Sequence, residues 1–137
     1  LLAKELGERL FALRGRTAPP FLGVDEAIDR ALAVDGRPVV IADPSDNPGG
    51  GAPSDATAIL RALIDRQVAD VAIGPIWDPI AVRFCFAAGE GSRLPLRFGG
   101  KTAPTSGQPI DAEVTVHRLV RGALREGDGG RAEHVGE

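Results

Sequence analysis

The sequence predicts an α/β fold in a single domain: a mixed, mainly parallel sheet flanked by helices. Two observations carry that prediction. A continuous apolar, β-branched run at 39–42 and a second apolar run at 71–76, broken by Gly74 and Pro75, are each followed by a helix signal, and the elements alternate in order as helix, helix, strand, helix, strand, helix, strand, strand. Strand–helix–strand units of this kind form right-handed crossovers with parallel pairing, and the last two strands add an antiparallel edge.

Each element has a local cause. In 1–13, Leu2, Leu6, Leu10 and Leu13 recur at helical spacing, with Lys4, Glu5, Glu8 and Arg9 between them. Pro19 and Pro20 end that pattern, and a short helix follows at about 25–33. Val39, Val40, Ile41 and Ala42 then form the first strand, which empties at Asp43 into a loop over 44–54. A helix starts near Ser54 or Asp55, with Ile59, Leu60, Leu63 and Ile64 on one face and Arg61, Asp65 and Arg66 on the other. The second strand, 71–76, ends at Trp77. Asp78 as N-cap and Pro79 in the first turn open a helix over 80–88 that Gly89 stops. Strands are expected at 94–98 and 112–120, the latter carrying Val114, Val116, Leu119 and Val120. Residues 1–121 thus make the domain, and 122–137 form a Gly-rich, flexible tail without periodicity.

Composition excludes several classes of function. The 137 residues hold 16 Lys+Arg against 19 Asp+Glu, a net charge of −3, with five Phe, one Trp and no Tyr. That balance argues against nucleic acid as a partner. No apolar run reaches about 18 residues, so no membrane span is expected. Cys85 stands alone, which rules out an internal disulfide and fits the cytoplasm. The absence of any Met, even at position 1, suggests a piece of a longer protein.

The informative stretch runs Asp43, Pro44, Ser45, Asp46, Asn47, Pro48, Gly49, Gly50, Gly51, Ala52, Pro53, Ser54, Asp55, between a strand and a helix. Sites in parallel α/β folds gather at the carboxyl ends of strands. Adjacent glycines let backbone N–H groups approach a ligand, and a helix N-terminus favours an anion. Asp46, Asn47, Gly49, Gly50, Gly51, Ser54 and Asp55 are therefore candidate substrate-binding residues. The competing explanation is structural: Asp46 and Asn47 form Asx turns, and Ser54 or Asp55 caps the helix.

Other motifs carry less. Gly100, Lys101 and Thr102 look like the end of a P-loop, but Pro95 stands where that motif needs Gly. His117 and His134 lack ligand neighbours at metal spacing, so no metal site is expected within the chain. Asp43, Asp46, Asp55 and Asp78 could converge at strand ends, although caps and turns explain most of them. Cys85 is expected as a buried hydrophobe and Trp77 as a core or interface anchor.

Three blocks together resemble the C-terminal domain of the microcystinase C (MlrC) family of metallopeptidases: the 39–55 string just quoted, then Gly74, Pro75, Ile76, Trp77, Asp78 and Pro79, then Gly99, Gly100 and Lys101. The resemblance covers about residues 14–120. It implies a bacterial, zinc-dependent amide hydrolase whose metal ligands lie upstream of this chain, so no catalytic or metal residue falls here and the piece alone is inactive. The implied partners are the protein's own N-terminal catalytic domain and a peptide or small amide substrate, with the 46–55 loop facing the interdomain cleft. The rival readings are a binding module that takes an anionic ligand on the same loop, and a structural domain that forms a homo-oligomer through the 1–13 helix.

Overall fold

A computed structural model describes residues 2–122, 124–126 and 132–134. The chain divides into two compact units, Leu1–Val39 and Val40–Glu137. Among the described residues no helix is long and apolar enough to cross a membrane.

The first unit holds two helices, α1 (Leu2–Ala12) and α2 (Val24–Ala33). Helical ion pairs four residues apart, Arg9 to Glu5 at 2.7 Å and Lys4 to Glu8 at 3.8 Å, support α1, which buries none of its residues. In α2, Asp25 and Glu26 lie in the first turn and Arg30 in the last, complementing the helix dipole, and Ile28 is buried. Arg37, beyond the helix end, donates from its guanidinium to the Ala31 carbonyl of the last turn and to the Val34 carbonyl.

The second unit contains α3 (Ala58–Asp65), α4 (Pro79–Ala88) and two strand pairs. The expected start signals of α4 operate as written. Asp78 accepts a hydrogen bond from the Ala81 amide at 3.0 Å, Pro79 occupies the first turn, and Gly89 closes the helix at φ 87°. Strands β1 (Arg93–Phe98) and β2 (Ile110–Thr115) pair antiparallel, from Arg93 opposite Thr115 to Phe98 opposite Ile110. Leu94, Leu96 and Phe98 alternate with exposed neighbours, as a strand with one covered face requires. On the exposed face Arg97 forks onto both Asp111 oxygens at 2.7 and 2.6 Å, and Arg93 pairs with Glu113. Among the described residues of this unit the buried apolar side chains are Leu63, Ala81, Ile110 and Val116.

Four expectations are corrected. The sheet is not mainly parallel: the described strands form two antiparallel pairs. Residues 39–42 and 71–76 carry no ladder at all, so the parallel crossovers inferred from them are absent. The helix expected from Ser54 or Asp55 begins at Ala58, because the two residues meant to cap it are committed elsewhere, as described below. The last strand ends at Thr115 rather than 120, although Val116 still exchanges hydrogen bonds with Gly91 and Ser92.

Within the 122–137 stretch, β3 (Leu124–Glu126) pairs antiparallel with β4 (Ala132–His134). The expected flexible tail otherwise lies outside the described residues, as does the His134 side chain.

Candidate functional site

The glycine loop is wired to itself. Asn47 caps the short 3-10 turn Pro48–Gly50, its Oδ1 accepting from the Gly49 amide at 2.9 Å. The Asn47 carbonyl accepts from the Gly50 and Ala52 amides at 2.9 and 3.2 Å, and the Pro48 carbonyl from Gly51 at 3.0 Å. Gly51 ends the turn at φ 88°, a left-handed conformation that favours glycine. Asp46 clamps the loop's far end, with Oδ1 on the Ser54 amide at 2.8 Å and Oδ2 on the Ala56 amide at 2.6 Å. Asp43 does the same at the near end through the Ser45 amide at 2.8 Å.

The expectation that the three glycine amides stand open for a ligand is therefore overturned. All three have acceptors inside the loop, so the Asx-turn explanation describes them. This wiring leaves the Asn47 side-chain donor unused. Because the Asn47 Oδ1 faces Gly49, its Nδ2 points the other way, and it has no acceptor among the described residues on this exposed segment.

Beneath the loop lies a polar knot that joins the three sequence blocks. Ser54, buried at φ 61°, accepts from the Trp77 amide at 2.7 Å through its carbonyl. Asp55, 1% exposed, receives the Lys101 and Thr102 amides on Oδ2 at 2.8 and 2.9 Å, and its carbonyl receives the Gly100 amide at 2.7 Å. Asp78 uses Oδ2 for the Gly99 amide at 3.1 Å and the Lys101 ammonium at 2.7 Å, while Oδ1 caps α4. The Thr57 hydroxyl donates to the Gln108 carbonyl at 2.8 Å rather than capping α3. Lys101 Nζ also donates to the Arg97 carbonyl at 2.8 Å.

Glycines make the knot possible. A Cβ on Gly99 would come within 2.7 Å of the Thr57 methyl, and one on Gly107 within 2.8 Å of the Thr57 hydroxyl. Gly99, Gly100 and Lys101 were legible as a block, but nothing in the sequence pointed to Thr57, Ser106 or Gly107. Of the four aspartates considered, Asp55 and Asp78 converge on the 99–102 turn, whereas Asp43 and Asp46 stay within the loop.

Burial alone would raise the Asp55 carboxyl pKa, but the Ser106 side chain, the Lys101 and Thr102 amides and the Thr102 side chain outweigh it and hold the pKa below its ordinary 3.8. The Ser106 hydroxyl acts on the carboxylate without meeting full hydrogen-bond geometry, which leaves Asp55 Oδ1 and Ser106 Oγ as buried atoms lacking a well-formed bond. Burial likewise works against the Asp78 carboxylate, yet the Ala81 amide, Lys101 and the Gly99 amide hold it below the same value. Both folded-state pKa values are lower than in the unfolded chain, so the unfolded state binds more protons at acid pH. Their stabilisation is complete above the ordinary carboxylate range and is lost as pH falls through and below 3.8. Urea unfolding at pH 7 and pH 3 is expected to show a lower free energy at pH 3, more so than in a protein lacking both carboxylates. Equal stability at the two values would contradict the assignment.

The remaining candidates stand apart. His117 is exposed and lies beyond the end of β2. Cys85 is half-buried, not fully buried, and Trp77 is 57% exposed, so it is no core anchor. Gly100, Lys101 and Thr102 form the turn of the knot, not a phosphate loop, since their amides already serve Asp55. Among the described residues no group of three or more His, Cys, Asp or Glu could hold a metal ion. An open groove of about 440 Å³ lies over the hairpin, lined by Pro95, Leu96, Arg97, Asp111, Ala112 and Glu113, and holds no loop residue.

Residues 41–137 match the family model described as MlrC C-terminus. Microcystinase C of Sphingomonas sp is 42% identical over 104 residues, which cover 76% of this chain and 20% of that protein. A solved structure from Mesorhizobium sp. BNC1, described as "Putative metallopeptidase", aligns with a TM-score of 0.72 at 24% identity over 88% of this chain and 24% of that one. At that identity the likeness is one of fold. The chain spans about a fifth to a quarter of the length of these relatives.

Proposed function

The chain belongs to the MlrC C-terminus family, and from that premise we propose that it is the C-terminal domain of a zinc-dependent metallopeptidase or amide hydrolase of the microcystinase C type. The names of its relatives support a hydrolase parent. The zinc ligands and the catalytic groups are assigned to the N-terminal domain of that parent, as the family resemblance implies; in this chain Asp46, Asp55 and Asp78 serve backbone amides and Lys101.

The role proposed for these residues is to build one wall of the interdomain cleft and to orient a substrate against it. Asp46, Ser54 and Asp55 hold the loop from below, and Gly49, Gly50 and Gly51 give it a face without side chains. Asn47 supplies the contact. The observation that carries this reading is its free Nδ2, fixed in direction because Oδ1 of the same amide is engaged. Such a pre-aimed donor suits a carboxylate or carbonyl oxygen of a peptide substrate.

Asn47→Asp separates the two halves of that side chain. An aspartate oxygen can still accept from Gly49 and cap the turn, whereas the outward donor becomes a negative charge. In the full-length, metal-loaded protein, N47D is expected to raise KM for a peptide with a free carboxylate about tenfold, roughly 1.4 kcal/mol, with kcat and thermal stability little changed. An unchanged KM would remove the loop from the binding surface. Binding of an anionic peptide with no turnover in the wild-type protein would favour the non-catalytic binding module instead.

A further inference from the structure

Two stretches of the second unit present interior-strand chemistry to water. Val40 and Ile41 are 85% and 40% exposed, and Val71 and Ile73 are 50% and 42% exposed. Neither stretch belongs to a described strand. No backbone hydrogen bond joins the amides of Val40, Ile41, Ala42, Val71, Ala72 or Ile73 to another described residue. A run that is apolar at every position suits a strand covered on both faces, and its main-chain groups need partners once water is excluded. Both requirements are unmet by the residues described, so the cover and the ladder must be sought elsewhere.

The same polypeptide offers a source. The matching family model is named for a C-terminus, and this chain accounts for 20% of one relative and 24% of another, leaving most of their length outside it. We propose that residues 40–42 and 71–73 are strands of a larger sheet, completed by apolar strands from the remainder of the full-length polypeptide. Pairing in cis supplies acceptors for the open amides and covers the exposed Val and Ile side chains, and the local concentration of a tethered segment favours it over a free partner. The proposal deepens the two-domain reading above: the domains share a sheet rather than merely flanking a cleft.

Hydrogen exchange on the monomeric full-length protein tests it. Amides in 40–42 and 71–73 are expected to exchange at least about a hundredfold more slowly than in an unstructured peptide. Val40→Pro, which deletes one donor, should then speed exchange in a peptide outside these 137 residues. A benzoylphenylalanine placed at Val40 should photo-crosslink to the same outside segment, and this readout stands even where V40P does not fold. Fast exchange in the wild-type protein overturns the proposal. So does protection that disappears on dilution, which would mean a second copy, or a crosslink confined to these 137 residues. Turnover is read separately: an inactive protein with protected strands would defeat the hydrolase assignment and leave the shared sheet standing.

Discussion

Gly100→Ala is expected to destabilise the protein by about 3 kcal/mol, the sum of backbone strain and overpacking. Gly100 sits at φ 61°, and a Cβ there would lie 2.7 Å from the Gln108 carbonyl carbon, 2.8 Å from the Pro109 nitrogen and 2.9 Å from the Gln108 oxygen. These are main-chain atoms, so no side chain can swing aside. Relief would have to move the 108–109 backbone, which receives the Thr57 hydroxyl and the Arg61 guanidinium. Gly51→Ala is the matched control. Its φ of 88° is equally unusual, but nothing lies within 4 Å of the added methyl, so only strain of about 1 kcal/mol is expected. Urea midpoints should fall in the order wild type, G51A, G100A. Similar midpoints for the two variants would mean that the close approach at Gly100 is not sustained in solution.

Asp78→Ala should cost a similar amount, about 3 kcal/mol, through a different mechanism. The Ala81 and Gly99 amides are buried donors that would lose their acceptor, each worth about 1–3 kcal/mol when left unsatisfied. Lys101 would lose its counter-ion as well, but its side chain is 34% exposed and can turn to water, so this part is small. Asp78→Asn should fall between, at about 1–2 kcal/mol, since asparagine caps a helix nearly as well as aspartate but cannot present two anionic oxygens. A D78A protein with the wild-type midpoint would show that the knot contributes nothing to holding the 99–102 turn against α4.

How much of this was legible in the sequence depends on the range over which each signal acts. The α4 helix could be read because Asp78, Pro79 and Gly89 satisfy its ends with their own atoms, and the β1–β2 hairpin because alternation records one covered face. The start of α3 could not. Ser54 and Asp55 are good caps by type, yet Asp55 is claimed by amides 46 and 47 residues further along the chain, a competition invisible to local pattern. In the glycine loop the competing signal is local instead. Its acceptors, Asp46 and Asn47, stand in the same string, and they consume the donors that three adjacent glycines were expected to offer. For 39–42 and 71–76, an all-apolar run describes the surroundings that a segment requires, and those surroundings are not supplied by the described residues.

Pro95 in β1 carries one further consequence. A proline has no amide hydrogen, so the edge it faces lacks a rung. A stray strand approaching from that side would meet a missing donor, a poor template for fibril growth. The hairpin is thereby shielded from aggregation in a way that the bare valines and isoleucines of the same unit are not.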